Sequence, residues 1–91
     1  MIRTFADRDT QRLFNQERVA RFQNFERVAL RRLLLLNQAR SLGDLRGVGL
    51  GLEALKGDRL GQYSLRINRQ YRLCFIWEKG DALAVEIVDY H

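Results

Sequence analysis

Two arginines, a tyrosine and a histidine pose the chemical question in this chain. Arg66 and Arg72 flank the turn-forming triplet Asn68-Arg69-Gln70, and Tyr90-His91 are the last two residues. Guanidinium groups bind oxyanions through planar, multidentate hydrogen bonds that an ammonium cannot match. Histidine is the side chain that exchanges a proton most readily near neutral pH, and His91 is the only one present. Lys56 and Arg59, in the tetrapeptide Lys56-Gly57-Asp58-Arg59, are placed to line a sheet edge nearby. Together these residues can hold an anion and move a proton. One cysteine and one histidine cannot build a zinc site. There is no serine-nucleophile motif and no phosphate-binding loop of the Walker type. Gly47–Gly51 (GVGLG) lacks the G-x-G-x-x-G spacing of a dinucleotide fingerprint.

Three alternating runs must position these groups: Gln62–Ile67, Tyr71–Trp77 and Leu83–Tyr90, separated by Asn68–Gln70 and by Glu78–Ala82. Period-two alternation bounded by turn residues predicts half-buried strands. Tyr63, Leu65 and Ile67 share one face, as do Tyr71, Leu73, Phe75 and Trp77. Directly opposed residues of an antiparallel pair point to the same side, and a slip of one residue would turn an apolar face to water. Keeping the apolar faces together sets Ile67 opposite Tyr71 and Arg66 opposite Arg72. It also sets Trp77 opposite Leu83, Phe75 opposite Val85, Leu73 opposite Ile87 and Arg72 opposite Val88. The outer face then collects Arg66, Arg72 and Tyr90 at one end, with His91 following. Opposed guanidiniums repel, which points to an anionic ligand; the alternative is that both arginines extend into solvent.

The chain of 91 residues is 46% hydrophobic and 30% charged, the composition of one folded domain, residues 1–91, with a modest core. No apolar run approaches the roughly 20 residues of a membrane span. The start MIRTFADRDT lacks the apolar core of an export signal, and Cys74 alone forms no internal disulfide, so a cytoplasmic protein is expected. The net charge is +5, and 14 of the 16 cations are arginine. Such a balance favours a polyanionic partner, nucleic acid above all. Residues 1–40 carry nine cations and four anions, whereas residues 41–91 carry seven of each. A cationic site in the second half therefore depends on sorting charges between faces.

Taken in order, Met1–Phe5 could add a strand, and Asp9 or Thr10 is a plausible N-cap for a short helix through Leu13-Phe14, interrupted at Asn15-Gln16. From about Arg18 to Ala39, Val19, Phe22, Phe25, Ala29, Leu33 and Leu36 recur at spacings of three and four and predict a helix. Its stripe needs the apolar face of the sheet as partner. Arg21, Asn24, Arg27 and Arg31 form a polar ridge that could meet phosphates or simply be solvated. Ser41–Gly51 reads as a connection with a helical turn near Leu42–Leu45 and a glycine-rich loop.

The pattern L-x-x-L-K-G-D-R-x-G-x-Y-S-x-R-I-N-x-x-Y-R-L-C-F-x-W, from Leu52 to Trp77, followed by Val85–His91, resembles the HigB branch of the RelE/ParE toxin superfamily of type II toxin–antitoxin modules. The most specific stretches are Gly61–Asn68, Tyr71–Phe75 and Val85–His91, and the likeness covers nearly the whole chain. It implies an α+β fold, with two N-terminal helices packed on a curved, mainly antiparallel sheet. It implies a ribosome-dependent endoribonuclease that cuts mRNA in the decoding site without metal or cofactor and is silenced by a helix-turn-helix, HigA-like antitoxin. The catalytic residues carried over are Lys56, Arg72, Tyr90 and His91, with Arg59, Arg66 and Arg69 binding substrate. Some members have a histidine three residues before the lysine, where Glu53 stands here.

Metal-free RNA cleavage uses the 2′-hydroxyl as nucleophile. It needs a proton acceptor, a clamp for the dianionic phosphorane and a proton for the leaving 5′-oxygen. Arg72 is the candidate clamp, and His91 the group that takes or gives a proton, its imidazolium favoured by the adjoining α-carboxylate. Tyr90 could stack on a base or orient the phosphate. Glu53 and Glu86 are candidate bases or, alternatively, ion-pair partners. Two other readings compete: a catalytically weak RNA- or antitoxin-binding module with the same fold, and a plain RNA-binding domain. The latter needs exposed strand aromatics, whereas most here pattern inward.

Overall fold

The computed structural model describes residues 1–90. Helix α1 spans Arg8–Phe14 and helix α2 Glu26–Gln38; strands β1 (Glu53–Ala54), β2 (Gln62–Arg66), β3 (Tyr71–Glu78) and β4 (Asp81–Asp89) follow. The strands form one sheet in the order β1-β2-β3-β4, each pair antiparallel. The expected fold class is therefore the observed one.

The N-cap of α1 is Asp7 rather than Asp9 or Thr10. Its carboxylate accepts the Thr10 N–H at 3.1 Å, which satisfies one of the donors a helix start leaves open. Thr10 instead joins two elements: fully buried, its Oγ1 accepts the Ile87 N–H at 3.0 Å and ties α1 to β4. The helix ends at Asn15, at the predicted interruption. The apolar stripe from Val19 to Leu36 does face the core, but not on one continuous helix. Ala20–Phe25 is a 3₁₀ turn that leads into α2. With three residues per turn, Phe22 and Phe25 stack on the same side, their rings 5.8 Å apart. Phe22, Ala29, Leu33 and Leu36 are fully buried in the same core as Leu65, Leu73, Phe75, Val85 and Ile87 of the sheet. Phe25 meets Tyr71 at 4.3 Å between ring centroids.

The predicted register holds at the end that matters for the site. Arg66 pairs with Arg72, Leu73 with Ile87 and Arg72 with Val88. At the other end it does not. Ile76 pairs with Leu83 and Trp77 with Ala82, in place of Trp77 with Leu83. Two local features account for the shift. The hairpin turn is the two residues Lys79-Gly80, both left-handed (φ 52° and 82°), so β4 begins at Asp81. One extra residue is then taken up by a bulge on β4 where Ala84 adopts φ 51°. Residues 1–6 lie alongside: Ile2 bridges Ala82 and Phe5 bridges Val85 in parallel, and Thr4 Oγ1 accepts the Ala84 N–H at 2.8 Å. The N-terminal segment thus supplies the acceptor for a backbone group that the bulge removes from the ladder.

Candidate active site

The helices cover the face of the sheet that carries Leu65 and Leu73, so the site is built on the opposite face. Alternation places Ser64 and Arg66 of β2 there, with Arg72 and Cys74 of β3, and Glu53 of β1 directly opposite Ser64. Asn68 organises the turn between β2 and β3: its Oδ1 accepts the N–H groups of Gln70 and Tyr71, both at 2.8 Å. The Gln70 carbonyl accepts the Tyr90 N–H, and Gln70 Nε2 donates to Asp89 at 3.1 Å. The chain is thereby held beside the β2–β3 turn as far as Tyr90. His91, the remaining predicted site residue, lies outside the described residues.

A cleft of about 330 Å³ opens here, lined by Glu53, Arg66, Asn68, Arg69, Arg72 and Tyr90. A second depression of about 500 Å³ adjoins it, lined by Glu53, Ala54, Leu55, Lys56 and Tyr90. Glu53 and Tyr90 border both, so the two form one trough with four cations and a single carboxylate along it among the described residues. Among the described residues, Lys56, Arg66, Arg69, Arg72 and Glu53 make no ion pair. Arg72 is the most constrained of the cations: its Nε donates to Ser64 Oγ at 2.6 Å and its Nη2 to the carbonyl of Gly51. Arg66 is anchored by its backbone, whose N–H donates to Leu50 O at 2.7 Å and whose carbonyl accepts Arg32 Nε from α2 at 2.8 Å. Partial burial, with Arg31 adjacent, lowers the Arg32 pKa from its ordinary value.

Lys56, Arg66, Arg69, Arg72 and Tyr90 are thus brought together. Arg59 is not among the residues that line the trough. Its guanidinium lies over the sheet, 3.0 Å from Gln62 Oε1 and 3.3 Å from Glu86 Oε1. It ties the turn Gly57–Arg59, which begins just after Lys56, to β4. That contact also separates the two carboxylates the sequence left equivalent: Glu86 is committed to Arg59, while Glu53 borders the trough with no cation bound to it among the described residues. Cys74 is fully buried, and burial pushes its thiol pKa up, away from any nucleophilic role. The predicted arginine ridge is split between the 3₁₀ turn and α2 and lies elsewhere; Arg21, on the 3₁₀ turn, is bonded to Asp9 at 2.8 Å and to Asp7 at 3.1 Å. Another groove, about 300 Å³ between α1 and α2, contains the Arg18–Glu26 ion pair and has mixed charge. Sequence reasoning gave no role to Ser64 or Gly51. The signal for Ser64 was its outward position one diagonal step from Arg72.

Comparison with known proteins agrees with this picture. Residues 3–91 match the model of the HigB-like toxin family, described as the RelE-like toxin of the type II toxin–antitoxin system HigB. The chain is 41% identical over 61 residues to Toxin HigB-1 of Vibrio cholerae serotype O1, covering 66% of this chain and 64% of that one. It is 35% identical over 60 residues to Endoribonuclease HigB of Proteus vulgaris, covering 66% and 65%. The match therefore spans just under two thirds of each relative's length. A chain of the YoeB–YefM complex from Staphylococcus aureus has the same fold, with a TM-score of 0.62 at 23% identity over 100% of this chain and 98% of that one. The YoeB dimer from the same organism gives 0.61 at 21% identity, covering 99% and 97%. Two helices on a four-stranded antiparallel sheet define a RelE-like toxin fold. Within that class, the chain belongs to the HigB-like toxin family of type II toxin–antitoxin systems.

Proposed function

We propose that this toxin is an endoribonuclease that cuts translated mRNA in the decoding site of the ribosome and is silenced by a cognate helix-turn-helix antitoxin of the HigA kind. The observation that carries the reading is the trough itself. Arg66 and Arg72 are opposed across β2 and β3 at its floor, with Lys56, Arg69 and Tyr90 around them and one carboxylate, Glu53, at its border. Like charges held together with no ion-pair partner among the described residues favour an anionic ligand, and the dimensions suit a phosphodiester with its flanking sugar. The name of the Proteus vulgaris relative supports the same activity.

In this reading Glu53 accepts the proton of the substrate 2′-hydroxyl. The 2′-oxygen forms a bond to the adjacent phosphorus, and the bond from phosphorus to the 5′-oxygen breaks. The products are a 2′,3′-cyclic phosphate and a free 5′-hydroxyl. Arg72 stabilises the charge that builds on the phosphorane oxygens, with Lys56 assisting. Arg66 and Arg69 hold neighbouring phosphates, and Tyr90 stacks on a base. His91 protonates the departing 5′-oxygen. Arg59 serves by anchoring the turn beside Lys56. No step in this scheme calls for a metal ion.

Expression of the chain in a bacterial host tests the proposal. The wild type should arrest growth and produce mRNA cut within translated codons, with 5′-hydroxyl ends. Arg72→Ala, or deletion of His91, should relieve both effects while the protein stays folded. Co-expression of a small helix-turn-helix protein encoded next to the toxin should restore growth. Equal growth arrest by the wild type and both variants would reject the catalytic assignment and leave the binding-module reading in its place.

A further inference from the structure

We infer that Ser64 and the carbonyl of Gly51 form a cradle that fixes the guanidinium of Arg72 before RNA arrives, and that Ser64 is a positioning residue for cleavage. The inference rests on the proposed activity for its role and on geometry for its existence. Ser64 is fully buried although it lies on the face of β2 turned away from the helices. A buried hydroxyl needs a hydrogen-bond partner, and its side-chain partner is Arg72 Nε at 2.6 Å. On the same edge of the guanidinium, Nη2 donates to Gly51 O. The Nε/Nη2 edge is thus engaged by the protein. Among the described residues the Nη1/Nη2 edge is left for two parallel bonds to phosphate oxygens.

The glycine-rich loop, which matched no nucleotide-binding motif, acquires a purpose in this arrangement. Leu50 and Gly51 direct successive carbonyls at the two opposed arginines: Leu50 O to the backbone N–H of Arg66, Gly51 O to the side chain of Arg72. Gly51 sits at φ +60°, and a Cβ there would stand 3.1 Å from Arg66 Cβ and 3.6 Å from Arg72 Nη2. Only glycine brings the chain through that gap without displacing an arginine. The cradle also answers a specific force. Arg66 lies directly opposite Arg72 and repels it, so an uncradled guanidinium would turn toward water. Holding a charge in place ahead of the reaction makes its stabilisation of the transition state effective, because no reorganisation is needed at that moment.

Ser64→Ala removes the Nε acceptor with little change in volume. For protein whose circular dichroism matches the wild type, the single-turnover cleavage rate on ribosome-bound mRNA should fall on the order of ten- to a hundredfold. Affinity for an RNA with a 2′-deoxy sugar at the cut site should stay within about threefold, since the charge is retained. Arg72→Lys should cost much less in the Ser64→Ala background than in the wild type, because lysine never used the cradle. Wild-type cleavage by Ser64→Ala, or an equal loss of affinity and rate, would overturn the inference. A second measurement needs neither cleavage nor a variant. In ¹⁵N NMR of the wild-type protein, the Arg72 Nε–H should exchange with water far more slowly than the exposed Arg69 Nε–H. Equally fast exchange would show that no cradle exists. A wild-type chain that cut no RNA would refute the proposed function and the cleavage role with it, while the exchange measurement would still decide the geometry.

Discussion

Replacing Arg66 by glutamine should make the free protein more stable and the toxin weaker. Arg66 and Arg72 are cross-strand partners, so their side chains leave the sheet on the same side from positions about 5 Å apart. Two unit charges about 6 Å apart repel by about 0.7 kcal/mol in water, less with salt present. Removing one charge should therefore add about 0.5 kcal/mol at low ionic strength, which raises the melting temperature by about 2–4 °C for a domain of this size. With a Debye length of about 3 Å at 1 M salt, the gain should largely vanish there. RNA affinity should move the other way: losing one phosphate contact lowers the slope of log K against log salt by about 0.7 for a single strand. Thermal denaturation of both proteins at two ionic strengths, and RNA titrations at several, would measure both effects. An Arg66→Gln protein that melts lower by the same amount at both ionic strengths would show that the arginine is a structural ligand. Unchanged RNA affinity would show that the trough does not receive phosphate there.

Three other outcomes follow from named contacts. Glu53→Gln should tighten RNA binding, because a negative charge leaves the trough, and slow cleavage by about 10²-fold or more, because the proposed base is gone; unchanged or faster cleavage would mark Glu53 as a bystander. Glu86→Gln should destabilise the protein by about 1 kcal/mol, since it breaks a half-buried ion pair, and should speed amide exchange at Leu55 and Arg59; the control is Arg59→Ala, which should produce the same pattern. Asp81 is bonded to Arg3 and to the N-terminal ammonium, which hold its carboxyl below the usual carboxylate range. A carboxyl depressed in the folded state stabilises above the unfolded pKa, about 3.9, and that contribution fades as pH falls from there through the lower folded value. Asp81→Asn should thus melt lower than the wild type at neutral pH, with the gap closing as pH falls through the depressed folded value; a gap constant from neutral to acid pH would refute the assignment.

The end of the sheet that carries the arginines was legible because its chemistry allows one register. Tyr63 and Leu65 face inward with Leu73 and Phe75, and any slip would expose them, so the Arg66–Arg72 opposition follows from alternation alone. The far end was not legible, because its register is set by backbone conformations that the residue types do not announce. Lys79-Gly80 makes a tight turn without the usual Asn-Gly signal, and Ala84 enters the left-handed region at a bulge whose freed N–H is met by Thr4, 80 residues away. The break before α2 was hidden for a related reason: apolar residues spaced by three suit a 3₁₀ turn as well as an α-helix.

The site divides along the same line. Charge and alternation identify which cations gather, but the relation between Glu53 and Glu86 is invisible in one dimension. Both are glutamates on outward strand positions, and what distinguishes them is a guanidinium from the turn at residues 57–59. Ser64 shows the limit most clearly. A serine between Tyr63 and Leu65, on the polar side of a strand, reads as solvated; it is buried, with its hydroxyl bonded to Arg72, whose guanidinium the carbonyl of Gly51 also holds. Residues 50–59 have no apolar period, and they act on this face through a single carbonyl, Gly51 O, and a single side chain, Arg59. The helix-covered face of the sheet is written in periodicity. The opposite face is written in hydrogen bonds between residues distant in sequence, and it is there that the proposed chemistry takes place.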